Sequence, residues 1–203
     1  ERWTRKNKRT TFKYSIVGKL IVISAPSGAG KTSIVHYLMK KIPQLSFSIS
    51  ACSREKRNKE SDGIDYHFLG AEGFKKKIKE DAFLEWEEVY KNQFYGTLKS
   101  ELEVISKEGT VLIFDVDVTG GLNIKMKYPK ECLAIFIMPP SVEKLRERLS
   151  SRGSESEESL KIRMDKAERE ISKNNEFDKV ILNDNFNIAC EEAKDLIINF
   201  INS

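Results

Sequence analysis

Lys31, with Gly28 and Gly30 before it and Thr32 and Ser33 after it, forms a group whose types and spacing suit the holding of a polyphosphate. Glycines let backbone N–H groups turn inward around phosphate oxygens. A helix starting near Lys31 would add its unpaired N–H groups and positive dipole end, and Lys31 supplies a mobile cation. Thr32 offers a hydroxyl to a magnesium ion. The pattern G-x-x-x-x-G-K-[ST] is missed only at its first position, where Ala25 stands, and a residue that small does not block the loop. Two acids, Asp115 and Asp117, close an apolar run, at the kind of strand end where ligands of an open parallel sheet collect. They would serve a magnesium-bound water, a ribose or the partner of an incoming phosphate. Arginines stand in two places: Arg54 and Arg57 in a polar segment, and Arg148, Arg152 and Arg163 around a break at Gly153. Phosphoryl transfer spreads negative charge over equatorial oxygens, and guanidinium forks match phosphates bidentately. A hinge at Gly153 would let a cap close over a triphosphate and exclude water. Taken singly, each arginine reads more readily as an ordinary surface residue.

These residues need a scaffold, and the apolar pattern describes one. Leu20 to Ser24 is a β-branched run that reads as a buried strand feeding the loop, and the helix beyond it runs to about Lys41, where Pro43 closes it. Leu45 to Ser50 reads as a second strand. Residues 51 to 66 are a polar segment with a turn at Asp62-Gly63. A short strand at 65–68, a small helix from Ala71 to Asp81 with Phe74 and Ile78 on one face, and a strand from Phe83 to Tyr90 follow. Residues 51–98 therefore read as a small α+β insertion. Next come a helix over 98–107, a strand from Thr110 to Val116, a short helix opened by Gly120 and Gly121, and a strand from Cys132 to Met138. An amphipathic helix from Ser141 to Arg152 precedes a charged helix that runs to about Lys173, with Ser154 and Glu157 as its capping box. A strand at Val180–Asn183 and a helix over Ile188–Phe200 complete the chain. Strands alternating with helices predict an α/β core, a parallel sheet between two helical layers.

Composition narrows the class. The chain of 203 residues is long enough for one core and an inserted subdomain, and its net charge of +4 is mild and interspersed. Cys52, Cys132 and Cys190 are far apart with no C-x-x-C, and the two histidines, His36 and His67, are scattered. A disulfide scaffold and a structural zinc site are therefore not expected, and a reducing, cytoplasmic compartment is. No apolar run approaches the ~18–20 residues that cross a bilayer, and no secretory leader is visible. Residues 1–18 read as a basic arm before the core.

A set of motifs in unbroken order over residues 18–200 resembles guanylate kinase. They are Ala25-Pro26-Ser27-Gly28-Ala29-Gly30-Lys31, Ser48-Ile49-Ser50 leading to Arg54 and Arg57, Asp62 to Phe68, Phe83-Leu84-Glu85-Trp86, Tyr95-Gly96-Thr97, Asp115-Val116-Asp117, Leu149 to Ser159, and Val180 to Asp184. The resemblance implies a P-loop kinase core (19–50 and 99–203), a GMP-binding subdomain (51–98) and a helical lid (141–160), moving the γ-phosphoryl of Mg-ATP to GMP or dGMP. It implies ATP binding by Ser27, Gly28, Ala29, Gly30, Lys31, Thr32, Ser33 and Asn183, and Mg²⁺ near Thr32 and Asp115. It places Ser50, Arg54, Arg57, Tyr66 and Tyr95 on the acceptor phosphate, Glu85 and Thr97 on guanine with help from Ser50, and Asp117 near the acceptor nucleotide. Lys31, Arg54, Arg148, Arg152 and Arg163 would carry the catalytic charge. The expected partners are these nucleotides, with no stable nucleic acid and no membrane, and the assembly a monomer or homodimer.

Chemistry supports the guanine assignment: a buried Glu85 would accept from guanine N1–H and the exocyclic amine, whereas adenine would leave it unpaired. Departures from the family pattern cluster at the acceptor loop, where Cys52-Ser53, Lys56 and Lys59 replace Thr-Thr, Pro and Gly. Two other classes compete with this reading. One is a catalytically inactive guanylate-kinase-like interaction module, which the retained Lys31, Thr32, Arg148 and Arg152 disfavour. The other is nucleic-acid binding through the basic arm and Lys75-Lys76-Lys77, which lacks an aromatic platform and reads more simply as a solvated helix face.

Overall fold

The computed structural model describes residues 18–58, 60–105, 111–150 and 157–203. The basic arm, Lys59, Arg152 and the Gly153-Ser154 break thus lie outside the described residues.

The run Leu20–Ser24 forms strand β1, and every one of its residues is buried. That burial follows from its place at the centre of a five-stranded parallel sheet ordered β2-β7-β1-β8-β9, with β2 at Leu45–Phe47, β7 at Val111–Asp115, β8 at Cys132–Met138 and β9 at Lys179–Leu182. Alternation along β1 sends its side chains to two cores. Ile21 and Ile23 pack with Ile34, Val35 and Leu38 of α1 (Lys31–Lys41), Leu145 and Leu149 of α5 (Val142–Ser150), and Ala189, Ala193 and Ile197 of α7 (Phe186–Asn202). Leu20 and Val22 pack with Val118 and Ile124 of α4 (Val118–Lys127) and with Leu102 of α3 (Ser100–Ile105). The result is the expected parallel sheet between two helical layers. No described helix is long and apolar enough to cross a membrane.

A second, four-stranded sheet is drawn entirely from residues 51–98, in the order β4-β3-β6-β5, with β3 at Ala51–Cys52, β4 at His67–Phe68, β5 at Phe83–Tyr90 and β6 at Gln93–Leu98. Helix α2 (Gly70–Lys79) covers it through Phe74, which stacks on Phe83 at 4.3 Å between ring centroids. Lys76 and Lys77 face solvent and pair with Glu80, so the lysine run is the solvated face of a helix.

Some boundaries differ from the sequence reading. β2 stops at Phe47, three residues early, because the chain leaves β7 there to reach the second sheet. Ala51–Cys52, assigned to a polar segment, is a fully buried strand too short to show a period. β6 had been seen only as a motif. It pairs antiparallel with β5 across the Lys91-Asn92 turn, and its Gly96 lies so close to β5 that a Cβ there would stand 2.6 Å from the Glu85 carbonyl oxygen. α5 ends at Ser150, and α6 spans Glu157–Ile171. Cys52, Cys132 and Cys190 are buried free thiols.

Candidate active site

The loop between β1 and α1 leaves the sheet beside the point where neighbouring crossovers part, since β7 lies on one side of β1 and β8 on the other. Gly28 and Gly30 hold φ values of 89° and 93°, the left-handed region glycine enters freely, and Gly30 is the N-cap of α1. α5 packs directly on this loop: a Cβ on Gly28 would meet Leu149 and Leu145 at 3.1 and 3.2 Å. At the start of α1, Lys31 forms an ion pair with Asp115 at the end of β7 and donates to the Val116 carbonyl at 3.1 Å. The Thr32 hydroxyl donates to the other Asp115 oxygen at 2.9 Å. Asp117 lies beyond the strand, not on it. Its carboxylate caps α4 by accepting from Gly120 N–H at 2.7 Å, so the capping role and a place at the site coexist in one residue.

A cleft of about 360 Å³ runs from this loop to the second sheet. Of the residues singled out from the sequence, Ser27, Gly28, Gly30, Lys31, Thr32, Ser33, Asp115, Asp117 and Arg163 line it together with Ser50, Arg54, Arg57, Tyr66, Glu85 and Tyr95. At the far end Arg54 donates from Nε to the Tyr95 hydroxyl at 3.2 Å and lies over the Tyr66 ring at 5.0 Å. Glu85 is buried and accepts from the Thr97 hydroxyl at 2.8 Å. Burial pushes its carboxyl up to about 7, the Thr97 hydrogen bond opposes that rise, and the nearby Asp117 charge adds to it.

Four expected residues do not line the cleft. Ala29 is buried within the loop. Thr97 is buried behind Glu85 and acts by holding it. Asn183, expected at the ATP site near the adenine or its loop, is buried beneath the phosphate loop, where its Nδ2 donates to the Ala29 carbonyl at 2.7 Å. Arg148 donates to the Asn183 carbonyl at 3.4 Å. The expectation for Arg152 falls outside the described residues.

The sequence reading missed Val89, Tyr90, Gln93, Lys166 and Glu170, all of which line the cleft. Arg163, Lys166 and Glu170 are spaced to share one face of α6, but a helix charged on every side hides which face turns inward. Lys166 lies 3.5 Å from Glu170 and 5.3 Å from the Tyr90 ring centroid, so α6 reaches the second sheet. Glu170 is pushed up to about 7 by burial, with Lys166 opposing. Glu87 is likewise raised by burial and by the neighbouring Asp117 carboxylate.

A glycine loop at the carboxyl end of the central parallel strand, facing a second cluster of cations and aromatics across one cleft, defines an α/β protein of the phosphate-loop class. The guanylate kinase family model matches residues 17–199. The guanylate kinase of Bacteroides thetaiotaomicron is 46% identical over 194 residues, covering 94% of this chain and 95% of its own length. That of Porphyromonas gingivalis is 48% identical over 184 residues, covering 90% and 98%. The crystal structure of guanylate kinase from Anaplasma phagocytophilum superposes with a TM-score of 0.71 at 29% identity, over 92% of this chain and 86% of that one. The chain belongs to the guanylate kinase family.

Proposed function

We propose that this protein transfers the γ-phosphoryl group of ATP to GMP or dGMP, with the donor at the β1–α1 loop and the acceptor at the second sheet. The observation that carries this reading is the single cleft joining Lys31 and the glycine loop to Arg54, Arg57, Tyr66, Tyr95 and the buried Glu85. Residues 19–50 and 99–203 serve as core, 51–98 as acceptor subdomain and 141–160 as lid.

On the donor side, loop N–H groups and Lys31 bind the triphosphate. Thr32 and Asp115 offer adjacent hard oxygens, a donor set that fits Mg²⁺, which when bound neutralises charge on the outer phosphates. In the described residues Lys31 and Thr32 share one carboxylate. Triphosphate oxygens would draw Lys31 away and leave Asp115 to orient the ion's hydration. On the acceptor side, Arg54, Arg57, Tyr66 and Tyr95 hold the monophosphate, and Glu85, steadied by Thr97, reads the base. A phosphate oxygen is already a nucleophile at neutral pH, so no strong general base is required. Positioning and charge compensation by Lys31, Arg163 and the lid arginines Arg148 and Arg152 supply most of the rate.

The test is ADP release from Mg-ATP with GMP, dGMP, AMP, UMP and CMP as acceptors. Turnover confined to GMP and dGMP is the expected result. A protein that binds GMP without turnover would instead be the inactive interaction module, and turnover with AMP equal to that with GMP would remove the role given to Glu85.

A further inference from the structure

Arg54 uses nearly all of its hydrogen-bonding capacity inside the protein. Nη1 donates to Glu60 Oε2 at 2.6 Å and to the Glu55 carbonyl at 2.9 Å, Nη2 donates to Glu60 Oε1 at 2.7 Å, and Nε donates to the Tyr95 hydroxyl at 3.2 Å. The ring of Tyr66 and that of Phe68 lie 5.0 and 5.4 Å from the guanidinium carbon. A guanidinium has two bidentate edges, one formed by Nη1 and Nη2, the other by Nε and Nη2. Glu60 occupies the first. The second is half used, Nε donating to the Tyr95 hydroxyl, which leaves one Nη2 hydrogen with no partner among the described residues; both Arg54 and Tyr95 line the cleft whereas Glu60 does not. The same Glu60 carboxylate also accepts the Arg57 backbone N–H at 2.8 Å, so one side chain ties the two arginines of this loop together.

We propose that Glu60 is a positioning residue for the reaction: it locks the end-on edge of Arg54 and the backbone of Arg57 so that the remaining Nη2 hydrogen of Arg54 is presented, beside the Tyr95 hydroxyl that Nε holds, to the phosphate of the acceptor nucleotide. This inference rests on the acceptor role proposed above for Arg54. A free arginine gives up rotamer entropy when it grips a phosphate, and one already fixed on its faces and on one edge does not. The pairing holds the Glu60 carboxyl down to about 2, so it stays ionised and keeps its hold throughout the working pH range. Local order of this kind matters in a loop that carries Lys56 where the family shows a proline.

The direction of the effect separates positioning from simple charge. Removing a negative charge next to a phosphate site would by Coulomb attraction tighten GMP, whereas releasing Arg54 should weaken it. Glu60→Gln should raise the Kd and KM for GMP by roughly tenfold, the scale of one lost charge-assisted contact, and leave the KM for ATP and the affinity for guanosine, which has no phosphate, unchanged. Glu60→Asp keeps the charge but shortens the reach, should shift GMP in the same direction, and carries the test if Glu60→Gln does not fold. In an Arg54→Lys background, Glu60→Gln should add a smaller loss than in the wild type, since only the hold on the Arg57 backbone is left to lose. Tighter or unchanged GMP binding by both Glu60 variants, with Arg54→Lys weakening it, would overturn the positioning role while sparing the acceptor reading. If Arg54→Lys itself leaves GMP binding intact, that acceptor reading and this inference fall together.

Discussion

On the proposed assignment, the two ends of the cleft would hold anions by different means. The donor end is built on backbone: glycines at positive φ, the N-terminus of α1, and a strand buried along its whole length in the larger sheet. Its cation, Lys31, is paired with a carboxylate from the adjacent strand of the same sheet. The acceptor end is built on side chains from a loop and a small sheet whose buried apolar cluster is Ala51, Phe74 and Phe83. Its cation, Arg54, is paired with Glu60 six residues along the same loop. Backbone donors at a helix N-terminus suit anions such as phosphate and do not read a base, so the proposed donor end would select for charge. Side-chain carboxylate and hydroxyl groups in a dry niche can tell one base from another, so on this reading specificity would reside at the acceptor end.

The largest expected effect breaks the donor end. Lys31→Ala should lower kcat by about 10³-fold or more, as loss of a cation that meets transferring charge does. GMP binding measured by calorimetry should be retained, because the acceptor end does not use Lys31. A variant that lost both would show that the two ends are not separable.

Glu85→Gln is the complementary break. It should raise the KM for GMP by roughly 10- to 100-fold, the scale of hydrogen bonds to a charged group, and narrow the preference for GMP over AMP while ATP binding persists. Steady-state kinetics on both acceptors would decide it.

A pH series sharpens the contrast with the smallest perturbation. Glu85 must be ionised to accept two hydrogen bonds from guanine, and burial places its carboxyl at about 7. Its ionised fraction falls as pH drops from 8 to 6, so the Kd for GMP should rise by about tenfold over that range. The same series with Glu85→Gln should be flatter. A wild-type profile as flat as the variant's would mean that Glu85 does not titrate in the free cleft.

Much of the donor end was legible because its parts are contiguous. Apolar strand, glycine loop, lysine and helix follow one another within Leu20–Lys41, and the structure places them as that order demands. The acceptor end was legible only as separated motifs. Ala51–Cys52 offers two residues, fewer than any period needs, and β6 is interrupted by a glycine whose reason is the neighbouring strand. Asn183 shows what placement adds to a residue read from the sequence. The residue at the end of β9 is near the donor loop in space, but its side chain turns under the loop and holds Ala29 rather than facing the cleft.

By itself the sequence determined the phosphate loop, the alternation of strands and helices, and the residue types that charge transfer requires, since each depends on neighbours a few positions away. Only the tertiary structure decided that Lys31 and Thr32 share Asp115, that α6 turns Arg163, Lys166 and Glu170 toward the cleft, and that Glu60 takes one edge of Arg54. Those arrangements join segments distant along the chain or select one face among equivalent charged ones. Burial and packing make that selection, and hydrophobic periodicity does not carry it.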